Sequence, residues 1–139
     1  MAQSILEVMT PDPVSLPADA PVVEAARRMK RADIGDVVVL DGDRVCGLIT
    51  DRDIVVRALA EGRDPAATAL GEICSRTVVA LGPRDSVEDA VRLMREHAVR
   101  RLPVMDGARA IGIVSIGDLA IERDEASALA DISAAAPNT

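Results

Sequence analysis

Apolar and polar positions along the chain follow one pattern that occurs twice. In each copy, apolar residues at the i, i+3, i+4, i+7 spacing of one helix face precede two short runs rich in β-branched residues. An Asp-Gly pair separates these runs, Asp41-Gly42 in the first copy and Asp106-Gly107 in the second. Because glycine adopts positive φ without steric cost, each pair predicts a tight hairpin. The pattern therefore predicts a helix followed by a β-hairpin in each half of the chain.

The two copies align without a gap at an offset of 65 residues. Identical residues stand at corresponding positions throughout: Glu7 and Glu72, Leu16 and Leu81, Val22 and Val87, Ala25 and Ala90, Arg27 and Arg92, Met29 and Met94, Gly47 and Gly112. A gapless register over roughly 50 residues indicates an internal duplication.

Each repeat is predicted to contain a short strand, a helix, a hairpin and a closing helix. The short strand is expected at residues 13–16 and again at 77–81. The first helix is predicted to start at Pro21, since proline suits the first helical position. In the second copy Asp85 and Glu88 have the spacing of a capping box.

A hydroxyl residue ends each hairpin and an aspartate follows three positions later, Thr50 with Asp53 and Ser115 with Asp118. Before an apolar helical pattern, this spacing predicts an N-cap and a helix start. Two interpretations remain open. A strand that ends at a helix N-terminus favours a bound anion, because unpaired N–H groups and the helix dipole attract negative charge. The same motif is also an ordinary capping box, which contributes about 0.5–2 kcal/mol of stability and needs no ligand.

Composition argues against several classes of function. The net charge of −7 and the absence of Phe, Tyr and Trp disfavour nucleic-acid binding, which needs a basic surface and, for single strands, stacking rings. No apolar run approaches the roughly 18 residues of a membrane span, and no basic segment precedes an apolar core at the N-terminus. We therefore expect a cytoplasmic protein with no membrane partner and no secretory signal. Cys46 and Cys74 have no CxxC spacing, so free thiols are favoured over a disulfide or a redox pair.

The sequence shows no constellation for catalysis or metal binding. The single histidine, His97, has no serine, threonine or cysteine that the sequence can place beside it. The aspartates around the first motif match no metal-binding loop in their spacing. We therefore expect no enzyme activity, no catalytic residues, no required cofactor and no metal site.

A β-α-β-β-α order in tandem, with Gly-h-h-[Ser/Thr]-x-x-Asp-h (h, apolar) at the end of each third strand, resembles a pair of cystathionine β-synthase (CBS) domains. The motif occupies residues 47–54 and 112–119, and the resemblance extends over nearly the whole chain, from residue 6 to residue 123. It implies an α/β (α+β) fold of two repeats packed with pseudo-twofold symmetry, a Bateman module. The domains expected from it are 1–64 (first repeat with an N-terminal leader), 65–125 (second repeat) and 126–139 (a flexible C-terminal tail).

The resemblance also implies a function. Such proteins are regulatory and usually dimeric, and they bind adenosine compounds in two clefts between the repeats. The expected ligand is therefore AMP, ADP, ATP or S-adenosylmethionine, and the expected partners are a second copy of the chain and an unidentified protein. In the family the motif aspartate accepts hydrogen bonds from the ribose hydroxyls, and the hydroxyl residue lies by the phosphate.

The same resemblance assigns residues to the two clefts. Those implied for the second cleft are Met9, Thr10, Val14, Ile34, Gly35, Arg100, Arg101, Ser115, Gly117 and Asp118. Those implied for the first cleft are Asp36, Thr50, Arg52, Asp53, Cys74, Ser75, Val79 and Val99, with Gly35 also facing it.

Charge distinguishes the two clefts. The second copy has Arg100 and Arg101 where the first has Gly35 and Asp36. An arginine binds phosphate through two hydrogen bonds, whereas a carboxylate repels it, and Arg52 is the cation that could compensate in the first cleft. We therefore expect the second cleft to be the better nucleotide site. The alternative is a ligand-free dimeric scaffold for protein interaction or stress response, in which both clefts are empty.

Overall fold

The structure, a computed structural model, describes residues 4–76 and 79–123, with side chains described up to Ala120. The tail predicted at residues 126–139 lies outside the described residues. In the described part of the chain, no helix is long and apolar enough to cross a membrane.

Both repeats consist of a leader, a central helix, a β-hairpin and a closing helix. The first repeat contains α1 (Ile5–Val8), β1 (Thr10–Pro11), β2 (Ser15–Pro17), α2 (Val22–Ala32), β3 (Asp36–Asp41), β4 (Arg44–Thr50) and α3 (Asp51–Asp53), which continues as the π-helical segment Ile54–Leu59. The second repeat contains α4 (Leu70–Ile73), β5 (Ser75–Arg76), α5 (Val87–His97), β6 (Arg101–Asp106), β7 (Arg109–Ser115) and α6 (Ile116–Arg123). We call α1 with β1 leader 1, and α4 with β5 leader 2. The mixed α+β fold class is as predicted.

Both predicted hairpins are present. Strand β3 pairs antiparallel with β4, and β6 pairs antiparallel with β7. The turns contain Gly42 at φ 64° and Gly107 at φ 60°. A residue with a side chain is strained at these angles, which explains why the same turn uses glycine in both copies.

The leaders are exchanged between the repeats. Strand β5 of leader 2 pairs antiparallel with β4 of the first repeat, giving the strand order β2-β3-β4-β5. Strand β1 of leader 1 pairs antiparallel with β7 of the second repeat, giving the order β1-β7-β6. The chain accordingly forms a four-stranded unit, Val14–Val78, and a three-stranded unit, Met1–Pro13 with Val79–Thr139. The repeat boundaries at 64 and 65 describe the sequence duplication and stay a prediction.

Each unit has its own apolar core. In the four-stranded unit α2, the hairpin and leader 2 contribute to it, with Leu70 and Ile73 of leader 2 buried. In the three-stranded unit α5, the hairpin and leader 1 do the same, with Ile5 fully buried. The buried residues of the central helices belong to the predicted stripes: Val22, Ala25 and Met29 in α2, and Val87, Ala90 and Met94 in α5.

The predicted first strands are unequal. Strand β2 is parallel to β3, and it begins two residues later and ends one residue later than predicted. In the second repeat, the described residues show only an isolated parallel bridge from Leu81 to Val104. Residues 77 and 78 of the strand predicted there lie outside the described residues.

The central helices begin one residue away from the predicted positions. Ser86, not Asp85, caps α5: its Oγ accepts from the Asp89 N–H at 3.2 Å, and Asp89 Oδ2 accepts from the Ser86 N–H at 2.9 Å. The Ser86 backbone N–H, with the Ser86 side chain, holds the pKa of Asp89 below its usual value. Asp85 Oδ2 instead accepts from the Gly82 N–H at 2.8 Å. In the first copy Pro21 is the N-cap and not the first helical residue.

The two closing helices differ in geometry. Helix α3 widens after one turn, and the Ala60 N–H donates to the Val55 carbonyl at 2.9 Å, a bond that spans five residues. The π-helical segment leaves Val55, Val56 and Leu59 exposed, with Leu59 70% exposed. Its counterpart α6 is α-helical.

Gly47 and Gly112 allow the leaders to lie against the hairpins. A Cβ atom at Gly47 would overlap the carbonyl oxygen of Ser75 in β5. A Cβ atom at Gly112 would overlap Sδ of Met9, the residue before β1. The glycine that opens the repeated motif is therefore needed for close approach of a neighbouring segment.

We expect Gly47→Ala to lower the free energy of unfolding by about 1–3 kcal/mol, because the added methyl group overlaps the Ser75 carbonyl and displaces β5. Urea denaturation followed by circular dichroism measures this change. Gly82→Ala is the control, since a Cβ atom there meets only Asp85 Oδ2 at 3.9 Å, an ordinary contact. Equal losses for the two variants would contradict the role given to Gly47.

Candidate functional site

Both predicted capping motifs form where a hairpin meets its closing helix. In the four-stranded unit, Thr50 Oγ1 accepts from the Asp53 N–H at 3.1 Å, and Asp53 Oδ2 accepts from the Thr50 N–H at 3.0 Å. In the three-stranded unit, Ser115 Oγ accepts from the Asp118 N–H at 3.1 Å, and Asp118 Oδ2 accepts from the Ser115 N–H at 2.8 Å. The repeated motif therefore builds the same reciprocal cap twice.

The Asp53 carboxylate has further partners inside the four-stranded unit. The hydroxyl of Ser75 in leader 2 lies 3.1 Å from Oδ1 and 3.2 Å from Oδ2 and donates to the carboxylate. The Nε atom of Arg57, one helical turn later, lies 3.7 Å from Oδ1. Asp53 is only 8% exposed. Its charge is therefore compensated within the unit, and little of its hydrogen-bonding capacity remains for a ligand.

Arg57 also holds leader 2 in place. Its Nη1 atom donates to the backbone carbonyls of Ile73 at 3.3 Å and Cys74 at 3.4 Å. The side chain thus connects Asp53 to the leader that supplies Ser75. Sequence reasoning did not find Arg57, although its i, i+4 spacing from Asp53 is the signal that could have done so.

Asp118 has fewer partners in the three-stranded unit. By the offset of 65, Thr10 stands where the first copy has Ser75, and Glu122 stands where it has Arg57. Among the described residues, Thr10 forms no hydrogen bond with Asp118, and Asp118 Oδ2 accepts from the Ser115 N–H. Asp118 is also half-buried where Asp53 is buried. Its Oδ1 atom therefore keeps more capacity to accept hydrogen bonds from a ligand.

Two arginines flank the cap of the three-stranded unit. Arg101 opens β6 directly opposite Ser115 in β7. The carbonyl of Arg100 accepts from the N–H of Ile116, the first residue of α6, at 2.9 Å. Both arginines are exposed. The backbone therefore places two cationic residues beside the Ser115–Asp118 cap.

The corresponding corner of the four-stranded unit is acidic. Asp36 opens β3 opposite Thr50 in β4, and the Gly35 carbonyl accepts from the Asp51 N–H at 3.0 Å. A Cβ atom at Gly35 would lie 3.3 Å from Asp51 Oδ2. Arg52 supplies an exposed cation where the other copy has Gly117. The same backbone frame thus carries Gly35 and Asp36 here and two arginines in the other unit, which favours an anion at the latter.

The predicted site residues divide between the two units. For the second cleft, the three-stranded unit contains Met9, Thr10, Arg100, Arg101, Ser115, Gly117 and Asp118, and the four-stranded unit contains Val14, Ile34 and Gly35. For the first cleft, the four-stranded unit contains Asp36, Thr50, Arg52, Asp53, Cys74 and Ser75, and the three-stranded unit contains Val79 and Val99. Their joint use by a ligand stays a prediction.

Asp53→Ala should destabilise the protein more than Asp118→Ala. We expect a loss of about 2–3 kcal/mol for Asp53→Ala, which leaves the Thr50 N–H and the Ser75 hydroxyl without their acceptor, and about 1 kcal/mol for Asp118→Ala, which removes a cap only. Urea denaturation of both variants measures the difference. Losses that agree within error would show that the extra contacts of Asp53 contribute nothing to stability.

Comparison with known proteins agrees with this architecture. The family model for the CBS domain matches the chain twice, at residues 5–59 and 70–124. The CBS domain-containing protein YhcV of Bacillus subtilis is 37% identical over 134 residues, which cover 94% of this chain and 95% of that protein. The crystal structure of hypoxic response protein 1 with two coordinated zinc ions has a TM-score of 0.73 at 33% identity, covering 85% of this chain and 97% of that one. Hypoxic response protein 1 is a protein of Mycobacterium tuberculosis.

Two further solved structures share the fold, one in complex with ligands and the other as a hexamer. The CBS domain pair of protein MJ0100, in complex with 5′-methylthioadenosine and S-adenosyl-L-methionine, has a TM-score of 0.75 at 22% identity over 91% of this chain and all of that chain, a likeness that shows the fold alone. The hexameric CBS-CP12 protein from bloom-forming cyanobacteria has a TM-score of 0.74 at 31% identity, covering 87% of this chain and 71% of that one.

Metal ligands were not predicted, and zinc is present in the structure of hypoxic response protein 1. Within residues 4–76 and 79–123 of this chain, no group of three or more His, Cys, Asp or Glu residues could hold a metal ion. The expectation of no metal site for the whole chain stays a prediction. The two matched segments include both hairpins and both capping motifs, and the chain therefore belongs to the CBS-domain family, with two CBS repeats.

Proposed function

We propose that this protein is a non-catalytic regulator that binds an adenosine-type nucleotide, AMP, ADP, ATP or S-adenosylmethionine, at the Ser115–Asp118 corner of its three-stranded unit. The proposal rests on one observation: a half-buried carboxylate with spare acceptor capacity lies in the same cap that two exposed arginines flank. A carboxylate accepts hydrogen bonds from ribose hydroxyls, and guanidinium groups bind phosphate. The corner therefore offers a hydrogen-bond acceptor for the ribose of a nucleoside phosphate and cations for its phosphate.

A protein with the same fold is solved with ligands of this class. The CBS pair of MJ0100, which shares the fold, binds 5′-methylthioadenosine and S-adenosyl-L-methionine. In this chain any base must lie between aliphatic or backbone groups, since the sequence has no Phe, Tyr or Trp. Val14, Ile34 and Gly35 stay the residues that the family resemblance predicts for that role. The cytoplasmic location and the protein partner through which regulation would act belong to the proposal as well.

The experiment that tests the function is a calorimetric titration of the full chain with AMP, ADP, ATP and S-adenosylmethionine. Asp118→Ala should weaken the affinity for the best ligand at least about tenfold, the equivalent of one lost hydrogen bond to a charged group. Asp53→Ala is the matched control and should change the affinity less, because Ser75 and the Thr50 N–H already use its carboxylate.

The variants Asp118→Ala and Asp53→Ala can also contradict the proposal. Thermal melts first establish that both are folded at the titration temperature. Retained affinity in folded Asp118→Ala, or equal losses in the two variants, would remove the case for the Asp118 corner. No binding of any of the four compounds to the wild type would favour the scaffold described below.

Arg100 and Arg101 should recognise the phosphate and not the base. We expect the double change Arg100→Ala/Arg101→Ala to reduce AMP affinity about tenfold or more and adenosine affinity little, since guanidinium groups contact only the phosphate. The wild-type AMP affinity should also fall as salt rises, because exposed charges are screened over roughly 8–10 Å near physiological ionic strength. Paired titrations with AMP and adenosine on wild type and variant measure both effects. Equal losses for the two ligands would point to a disturbed site with no phosphate contact.

A ligand-free dimeric scaffold is the second candidate, and the exposed side chains of Val55, Val56 and Leu59 favour it. Burying a large apolar side chain in an interface stabilises the assembly by about 1.5–3 kcal/mol. This row of three exposed apolar side chains therefore favours association of two copies. A homodimer is compatible with nucleotide binding as well. We propose that the π-helical segment Ile54–Leu59 forms part of the dimer contact.

Leu59→Glu should convert the dimer to a monomer, because it places a carboxylate at the most exposed position of the apolar row. Light scattering coupled to size-exclusion chromatography at micromolar concentration measures the mass. Ala32→Glu, at the exposed last residue of α2, is the control that adds the same charge elsewhere and should remain dimeric. A monomeric wild type at that concentration would refute the dimer itself.

A further inference from the structure

The two cysteines of the chain lie in contact inside the four-stranded unit. Both are free thiols, as the sequence predicted, and the Sγ atoms of Cys46 and Cys74 are 3.5 Å apart. Cys46 belongs to β4, and Cys74 is the residue between α4 and β5 of leader 2. A disulfide requires a separation of about 2.05 Å, so small side-chain rotations would bring the sulfur atoms together. The fold thus preassembles a pair that the sequence spacing of 28 residues did not reveal.

The environments of the two sulfur atoms differ. Cys46 is half-buried and lies at the wall of a surface cavity of about 450 Å³, whose lining also includes Pro17, Leu40 and Arg76. The Nη1 atom of Arg76 lies 3.5 Å from Cys46 Sγ and donates to it. Cys74 is only 5% exposed. A small oxidant in the cavity therefore meets Cys46 first, and the Arg76 guanidinium lies beside the sulfur atom that the oxidant reaches.

The position of Cys74, and not its acidity, suits it to the second step. Burial raises the pKa of its thiol to about 11, so Cys74 is a neutral, unreactive thiol toward reagents in solution. Its sulfur is nevertheless already in contact with Cys46. It can therefore react with an oxidised Cys46 without meeting the oxidant itself.

We propose that Cys46 and Cys74 form a redox-active pair that a hydroperoxide converts to an intramolecular disulfide. The Cys46 thiolate attacks one oxygen of hydrogen peroxide, the O–O bond breaks, and Cys46 becomes a sulfenic acid as hydroxide leaves. The Cys74 sulfur then attacks the Cys46 sulfur, the S–O bond breaks, and the departing oxygen takes up the Cys74 proton to leave as water. Two thiols lose two electrons, and one peroxide becomes two molecules of water.

The bond would change how leader 2 is held. In the described part of the chain, strand β5 pairs with β4 at Gly47 with Arg76 and at Leu48 with Ser75. The disulfide would add a covalent link from β4 to the residue just before β5. Oxidation would therefore lock leader 2 onto the four-stranded sheet, and reduction would leave it held by its hydrogen bonds and by the packing of Leu70 and Ile73 in the core.

The test treats the reduced full chain with hydrogen peroxide and follows free thiols and intact mass. Since the sequence has 2 cysteines, the thiol count of the wild type reports on this pair alone. We expect both thiols to be lost together, the mass to fall by about 2 Da, and dithiothreitol to reverse both changes. Disulfide-linked dimers, or oxygen adducts on Cys46 with the Cys74 thiol retained, would overturn the proposal.

Two single variants test the order of the steps. Cys74→Ser should accumulate a sulfenic acid on Cys46 that dimedone traps, whereas Cys46→Ser should be labelled at least about tenfold more slowly. Equal labelling would overturn Cys46 as the attacking residue. The oxidised wild type should melt about 5–10 °C above the reduced form, and Cys46→Ser should melt unchanged after peroxide. A melting temperature that does not rise on disulfide formation would overturn the locking of leader 2.

Discussion

The pairing of each leader with the last hairpin strand of the other repeat is the constraint on which the rest of the structure depends. It completes both sheets, and it carries Leu70 and Ile73 into one core and Ile5 into the other. It is possible because Gly47 and Gly112 present no side chain where Ser75 and Met9 approach. Without this approach, neither core would be closed at its edge.

The difference in hydrogen bonding between the two caps also arises from this pairing. In the four-stranded unit the leader supplies Ser75 to Asp53, and Arg57 joins the same carboxylate to the leader backbone. In the three-stranded unit the equivalent leader residue is Thr10, which forms no hydrogen bond to Asp118 among the described residues. The Asp53 carboxylate thus uses its acceptor positions within its own unit, whereas the Asp118 carboxylate keeps more capacity to accept hydrogen bonds. Duplication preserved the frame, and a few substitutions around it gave the two copies different chemistry.

Local patterns predicted the parts of this fold that depend on local physics. Asp-Gly predicted both hairpins, helical spacing predicted the buried faces of α2 and α5, and the hydroxyl–aspartate spacing predicted both caps. In each case the residues that interact lie within a few positions of one another, so the sequence alone carries the signal. The cap of α5 was placed one residue early because Asp85 and Ser86 are both good N-cap residues, and packing decides between them.

Contacts between distant segments were beyond such patterns. As far as the structure describes them, strands β1 and β5 contain two residues each, too few for a period-two signal. Their pairing depends on the room that a glycine leaves for the leader and on packing in the core. Neither of these can be read from the sequence pattern. The same applies to Cys46 and Cys74, whose contact exists only because β5 lies beside β4. The arginines beside the second cap were found because their effect follows from charge and strand position, both of which the repeat alignment supplies.

The exchange of leaders also bears on how such a chain could have arisen. A protein with a single repeat would have one last hairpin strand and one leader, and it could form the pairing seen here only by exchanging leaders with a second molecule. Fusion of two such genes would turn this exchange between molecules into one within a single chain, with the same strand pairing. Covalent order and spatial order then cease to coincide, as they do in this protein, where residues 5–11 complete the sheet of the second repeat and residues 70–76 that of the first. Each unit therefore contains residues of both repeats. A substitution in the leader of one repeat acts on the unit that is built largely from the other repeat.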